Sequence, residues 1–183
     1  MASNVEERVF VYGSLLRGMQ NHSILESARL IDGNARTAEE YVMVFGGEGA
    51  EGGLHGVYPY VLEEGRPSDT RGRVRGEVYG VSSKLLGKLD ELEDHPVEYR
   101  RRLTPVVGHP EPAWLYVFEE PETVEDIRGD VTYDTFVPVR RLDWRAHYEK
   151  MNNRRGRGTL RPWVVSLAAI AVVTTFLLTK PRK

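Results

Sequence analysis

Apolar residues along this chain fall in short runs separated by glycine, proline and charged turns. That spacing belongs to a strand-rich domain rather than a helical bundle. The first run, Val9-Phe10-Val11-Tyr12, predicts a strand over 8–12 that breaks at Gly13-Ser14. Capping residues at Asn21-His22-Ser23 predict a short helix near 22–29, with Ile24, Leu25 and Ala28 on its apolar side. Two further runs, 41–45 and 57–61, read as strands on either side of a glycine-rich loop. Residues 73–81 alternate as a half-buried strand does. Ser82-Ser83 caps a helix running to about Asp94, which His95-Pro96 ends. Residues 99–107 and 113–118 predict two strands joined at Gly108-His109-Pro110, and 143–152 a last helix. Five or six short strands with few crossover helices predict an α+β fold with an antiparallel sheet or a small barrel.

Composition changes this picture at the C-terminal end. Residues 1–139 carry 14 Lys+Arg against 25 Asp+Glu, a net charge of −11. Residues 140–162 carry 8 basic against 2 acidic, a net +6, and Lys180, Arg182 and Lys183 add +3. Between those basic flanks, Trp163 to Thr179 is 17 residues without a charge. As a helix this stretch spans roughly 25 Å, the short end for a bilayer crossing. Its basic flanks resemble interfacial anchors. The organisation expected is a flexible N-terminus at 1–7, a folded domain at 8–152, a basic linker at 153–162, a transmembrane helix at 163–179 and a basic tail at 180–183. The N-terminus has no apolar run that would make a signal peptide. A tail anchor with the acidic body in the cytosol follows. The short, moderately apolar span and basic tail favour the mitochondrial outer membrane over the endoplasmic reticulum or peroxisome. No nucleic-acid partner is expected, and the sequence leaves the oligomeric state open.

The chain has no cysteine, which excludes disulfides, thiolate nucleophiles and Cys-based metal sites. Its five histidines show no metal-ligand pair at helical spacing, so neither metal nor cofactor is expected. The loop spells G-x-G-x-x-G at Gly47, Gly49 and Gly52. A strand-like segment follows where a dinucleotide site needs a helix, and Glu48 and Glu51 sit where phosphates would lie.

Two features carry candidate chemistry. A buried strand that stops at Gly13-Ser14 can present a row of backbone N–H groups, a nest suited to a carboxylate or an oxyanion. An ordinary tight turn has the same signature. On the helix beginning near Ser82, Leu85, Leu86, Leu89 and Leu92 form an apolar stripe, and Glu93 falls inside it. Glu91, Lys84 and Lys88 point away, with Asp90 at the edge. A carboxylate facing a core is either paired, here with Arg100, Arg101 or Arg102, or held with a raised pKa suited to acid–base work.

Together with Gly76–Val81 (GEVYGV), Leu89–Pro96 (LDELEDHP) and Tyr99-Arg100-Arg101, these features resemble the gamma-glutamylcyclotransferase-like family. The stretch VFVYGSLLRGMQNH at 9–22 is most similar to its gamma-glutamylamine cyclotransferase branch. The resemblance covers roughly 8–119. It implies a small β-barrel with attached helices, substrate binding at Tyr12, Gly13, Ser14 and Leu15, and a catalytic glutamate at Glu93. Ser14 stands where relatives often have Thr, and Leu16 where Lys is common. The implied activity releases 5-oxoproline and a free amine from a small-molecule gamma-glutamyl amide; the basic linker and the membrane tether expected at residues 163–179 are extra to the family's fold. A catalytically silent binding module of the same fold, or a hydrolase or transferase of gamma-glutamyl amides, would share these motifs. Ser14 as a nucleophile is disfavoured, since no His partner is near it in sequence.

Overall fold

The computed structural model describes residues 6–46, 58–64, 70–118, 137–138 and 142–155. Residues Met1–Lys150 form one compact unit and Met151–Lys183 a second. The G-x-G-x-x-G spelling and the expected membrane span at 163–179 lie outside the described residues. Among those described, no helix is long and apolar enough to cross a membrane.

The first apolar run becomes β1 (Glu7–Val11), with Val9, Phe10 and Val11 buried. It lies at the centre of a five-stranded sheet. On one side it pairs antiparallel with β6 (Arg75–Val81), and on the other it pairs parallel with β8 (Ala113–Phe118), Phe10 opposite Leu115. The edges are β2 (Arg29–Arg36), on β6, and β7 (Tyr99–Thr104), on β8. A second sheet has β3 (Tyr41–Gly46) between β4 (Tyr58–Leu62) and β5 (Arg71–Gly72), with β9 (Val137–Pro138) also on β3. The α+β class therefore stands, but the larger sheet is mixed. Among the described residues the strands bond as two sheets, not as a wholly antiparallel barrel. The long connection from β1 to β8 is what permits the parallel pair.

Several expectations about individual elements change. The helix expected near 22–29 is only a 3-10 turn, His22–Leu25, and Asn21 makes no side-chain cap there. Residues 29–36 instead form β2, whose register shifts twice against β6 around Asp32. Strand β6 is buried on both faces from Gly76 to Val81, because the Glu77 and Tyr79 side is also covered. The last helix, α2 (Trp144–Arg155), runs three residues past the expected domain end at 152.

Helix α1 (Ser83–Leu92) starts as the sequence predicts. The Ser82 hydroxyl accepts from the Leu85 N–H at 3.3 Å, and Leu85, Leu86 and Leu89 are buried. It stops earlier than expected. Asp94 adopts a left-handed φ of 50°, and the His95 N–H closes back on the Asp90 carbonyl at 2.9 Å. That is the closure of a Schellman-type end, two residues before Pro96. Glu93 is thus the residue that caps the helix, not one inside it, and Leu92 is partly exposed.

Candidate active site

Because β1 and β8 run parallel, their carboxyl ends open at the same edge of the sheet. A cavity of about 230 Å³ sits there. Its floor and walls come from the residues just after β1 (Tyr12 to Leu15), the end of α1 (Leu92, Glu93), the start of β7 (Glu98, Tyr99), β4 (Tyr58 to Tyr60) and Tyr116 of β8. All five residues singled out from sequence, Tyr12, Gly13, Ser14, Leu15 and Glu93, therefore line one cavity.

Glu93 reaches this cavity because α1 is anchored at its last turn. The Tyr116 hydroxyl donates to Asp90 Oδ1 at 2.7 Å, and Arg101 Nε lies 3.2 Å from the same oxygen. Tyr12 in turn donates its hydroxyl to the Tyr116 carbonyl at 2.9 Å. Helix end, β8 and the post-β1 turn are thereby tied together. Two of the arginines that could have neutralised Glu93 are engaged elsewhere: Arg101 with Asp90, and Arg102 with Glu63 at 2.7 Å. Part of the Glu93 residue reaches the surface, but its carboxyl is set deep. Burial, with the added repulsion of Glu98, pushes that carboxyl up to about 7. A helix C-terminus also disfavours negative charge. Of the two readings left open by sequence, a paired carboxylate or a raised one, the upward shift and its causes fit the second. Burial and then the Glu93 charge push the Tyr12 phenol well above its usual range, so it stays neutral as a hydrogen-bond donor.

The turn after β1 is closed by its own backbone. Leu16 N–H donates to the Gly13 carbonyl at 3.1 Å and Asn21 N–H to the Ser14 carbonyl at 3.0 Å. Among the described residues, none of the turn's hydrogen bonds uses the N–H of Gly13, Ser14 or Leu15. The Ser14 hydroxyl accepts from Asn21 Nδ2 at 3.0 Å, and His22 Nδ1 lies 3.1 Å from the Leu15 carbonyl. Serine is held in place, and the nearby histidine contacts backbone, not Ser14. Gly13 has no left-handed φ. It is glycine because a Cβ there would stand 2.9 Å from Pro59 Cγ, across the cavity wall.

Sequence reasoning missed several lining residues. Tyr60 stacks on Tyr99 at 5.9 Å with an interplanar angle of 4°, and both meet Phe118 edge-on. Tyr60 and Tyr99 line the same cavity as Glu93, whose burial is the main cause of its raised pKa. Glu98 was also missed; its only sequence signal is a second acid close behind the His95-Pro96 stop. Asn21 reads as a helix cap in the sequence, whereas in the fold it holds Ser14.

With the geometry in place, comparison with known proteins decides the family. The model of the family described as "Gamma-glutamyl cyclotransferase, AIG2-like" matches residues 9–138. The chain belongs to that family. It is a cyclotransferase-type enzyme. A Methanocaldococcus jannaschii protein named "Putative gamma-glutamylcyclotransferase" is 37% identical over 118 residues, 62% of this chain and 86% of that one. Human gamma-glutamylaminecyclotransferase is 37% identical over 97 residues, 51% of this chain and 57% of the human protein. Among solved structures, a mouse AIG2-like protein aligns with a TM-score of 0.51 at 29% identity, over 65% of this chain and 82% of the mouse chain. A Pyrococcus horikoshii protein aligns with a TM-score of 0.54 over 80% of this chain and 97% of its own; at 18% identity that likeness shows the fold alone.

Proposed function

We propose that this enzyme cyclises gamma-glutamyl amides, with gamma-glutamyl amines as the favoured substrates, and that Glu93 moves the protons. The observation that carries the reading is a glutamate raised to about 7, in the same cavity as the Tyr12–Leu15 turn. The substrate brings its own nucleophile, so the protein needs no Ser or Cys. Folding the substrate within the cavity supplies the proximity.

The Glu93 carboxylate takes one proton from the substrate α-ammonium. The freed amine attacks the γ-carbonyl carbon, a C–N bond forms, and the carbonyl oxygen becomes an oxyanion. Protonated Glu93 then gives its proton to the leaving nitrogen, and the old C–N bond breaks as the carbonyl re-forms. The ring nitrogen gives up its second proton to Glu93, which passes it to the departed amine. The products are 5-oxoproline and an ammonium. A pKa near 7 suits a group that must both take and return a proton at neutral pH. The N–H groups of Gly13, Ser14 and Leu15 are suited to the substrate carboxylate or to the oxyanion.

The test is product analysis over a panel of gamma-glutamyl amines and gamma-glutamyl amino acids. Release of 5-oxoproline with one equivalent of amine is expected. Free glutamate would replace this reading with a hydrolase, and no turnover on any member would leave a binding module.

The tether belongs to the same proposal. Seventeen uncharged residues between basic flanks support a membrane span at 163–179, with the mitochondrial outer membrane favoured. A fluorescent protein fused ahead of residues 150–183 should stain a mitochondrial rim and move to the reticulum when Lys180, Arg182 and Lys183 become Ser. Diffuse cytosolic signal would overturn the span.

A further inference from the structure

The most fully bonded charged group among the described residues lies behind the candidate site, not in it. Glu77, on β6, is 1% exposed. Its Oε2 accepts from the Arg17 N–H at 3.1 Å and from the Tyr79 hydroxyl at 2.8 Å. Its Oε1 accepts from Arg17 Nε at 2.9 Å and from Arg145 Nη2 at 2.8 Å. The same Arg145 Nη2 lies 3.2 Å from the Arg17 carbonyl oxygen and donates to it. Arg17 is therefore gripped by its N–H, its side chain and its carbonyl. It is the last residue of the post-β1 turn before Gly18, whose φ of 81° redirects the chain. Its guanidinium lies across Gly33 of β2, where a side chain would collide with it. Burial alone would push the Glu77 carboxyl up, but the bonds from Arg145, Arg17 and Tyr79 outweigh it and hold the carboxyl low, so the group is charged.

Arg145 is held independently. The Asp143 carboxylate caps the first turn of α2 by accepting from the Ala146 N–H at 3.0 Å, and Trp144 is buried. Arg145 also falls seven residues beyond the family match, which ends at 138. One element of the clamp thus comes from a segment that the family model does not cover.

We propose that Arg145 is a positioning residue for the reaction. Through Glu77 and Arg17 it fixes the far end of the Tyr12–Gly18 turn, and so the backbone of Gly13, Ser14 and Leu15 where it lines the cavity. The kinetic part rests on the cyclotransferase reading above; the clamp itself does not. The near end of the turn is fixed by β1. Without Arg145, Glu77 keeps only Arg17 and Tyr79, and the Arg17 carbonyl loses its donor. The turn then samples more conformations, and substrate binding must supply the free energy to order it.

The experiment uses the full chain in mild detergent, with Arg145→Met, Arg145→Lys and wild type. Two readouts are taken: steady-state kinetics on a gamma-glutamyl amide, and amide hydrogen exchange at Arg17. Arg145→Met should raise KM about tenfold. kcat should change less, and the pH midpoint set by Glu93 should stay where it is. Arg17 exchange should speed up about tenfold in the same variant. Arg145→Lys keeps a charge for Glu77 but not the fork, so it should fall between the two. It also decides the matter if Arg145→Met does not fold. A purely structural residue would lower the active fraction, seen as a fall in kcat at constant KM. That result, or wild-type KM and exchange in folded Arg145→Met, overturns the proposal. Wild type that turns over no gamma-glutamyl amide would remove the cyclotransferase reading, while Arg17 exchange would still decide the clamp.

Discussion

Replacing Glu93 by Gln removes a charge that the fold buries at a cost. The size of that cost follows from the site. The carboxyl moves from an ordinary 4.5 to about 7, chiefly through burial and then through Glu98. At ~1.36 kcal/mol per pH unit, this is about 3 kcal/mol of stability. The sign is fixed by linkage. The folded state binds the proton more tightly than the unfolded chain does. The contribution is fully present below about pH 4.5 and is lost as pH rises through 7. Gln has no proton to lose. Glu93→Gln should therefore match wild type near pH 4.5, then become progressively more stable than wild type, by up to about 3 kcal/mol above about pH 7.5. Turnover should fall at least ~10²-fold, since the amide can neither take nor return a proton. Urea unfolding of the full chain in detergent at about pH 5 and about pH 8 measures the first effect, and 5-oxoproline release the second. Glu91→Gln is the control, because Glu91 lies exposed on the other side of the helix. A stability difference that does not change between the two pH values would mean that Glu93 is not a buried, raised carboxyl. Ordinary turnover by the Gln variant would mean that it is not the base.

Three further outcomes test the surroundings. Glu98→Gln removes the like charge facing Glu93, so the acid limb of kcat/KM, which should rise about tenfold per pH unit and level near 7, should move to lower pH; an unmoved limb would remove Glu98 from the account. Gly13→Val should raise KM and lower kcat together, because its side chain meets the Pro59 ring, and Pro59→Ala should recover part of the loss; unchanged kinetics in a folded Gly13→Val protein would exclude the turn from substrate binding. Gly76→Ala should destabilise by about 1–3 kcal/mol, since its Cβ would collide with the Val11 carbonyl and the Phe10 ring. A thermal melt unchanged from wild type would show that β1 and β6 can part at that point without cost.

What the sequence made legible divides along a physical line. β1, β6, β8 and α1 were readable because each announces itself locally, by a run of strand formers or by a cap and stripe. Residues 29–36 were not. RLIDGNAR has Gly33 and Asn34 in its middle, and its apolar residues are only Leu30, Ile31 and Ala35. Of these, Leu30 is exposed, Ile31 is half-buried and Ala35 alone is buried. That segment is a strand because β6 offers a free edge, and its irregular register absorbs residues that would spoil a regular ladder. The parallel pairing of β1 with β8 was equally invisible. It depends on where the chain goes between Tyr12 and Ala113, and neither strand carries that information.

Glu93 shows why a local pattern can point to the right residue for a partly wrong reason. The helical wheel puts it on the apolar stripe of a helix running to Asp94, but the helix ends at Leu92. The direction survives because the cap residue still donates its N–H to the Leu89 carbonyl, at 3.0 Å, so its side chain leaves the axis near the angle that the wheel predicts. The early stop matters for the chemistry. One more helical turn would carry the chain past the cavity, whereas the reversal at Asp94 brings Glu98 and Tyr99 back beside Glu93. The charge of Glu98 and the ring of Tyr99 arrive together from that one reversal, and β4 adds Tyr60 from elsewhere in the chain. The sequence separates Glu98 and Tyr99 from Glu93 by five and six residues, and a wheel drawn through Pro96 has no meaning. A carboxylate on an apolar face can be found from periodicity, but what sets its pKa is burial among elements distant in sequence, with the charge of Glu98 added by the return of the chain, and periodicity describes neither.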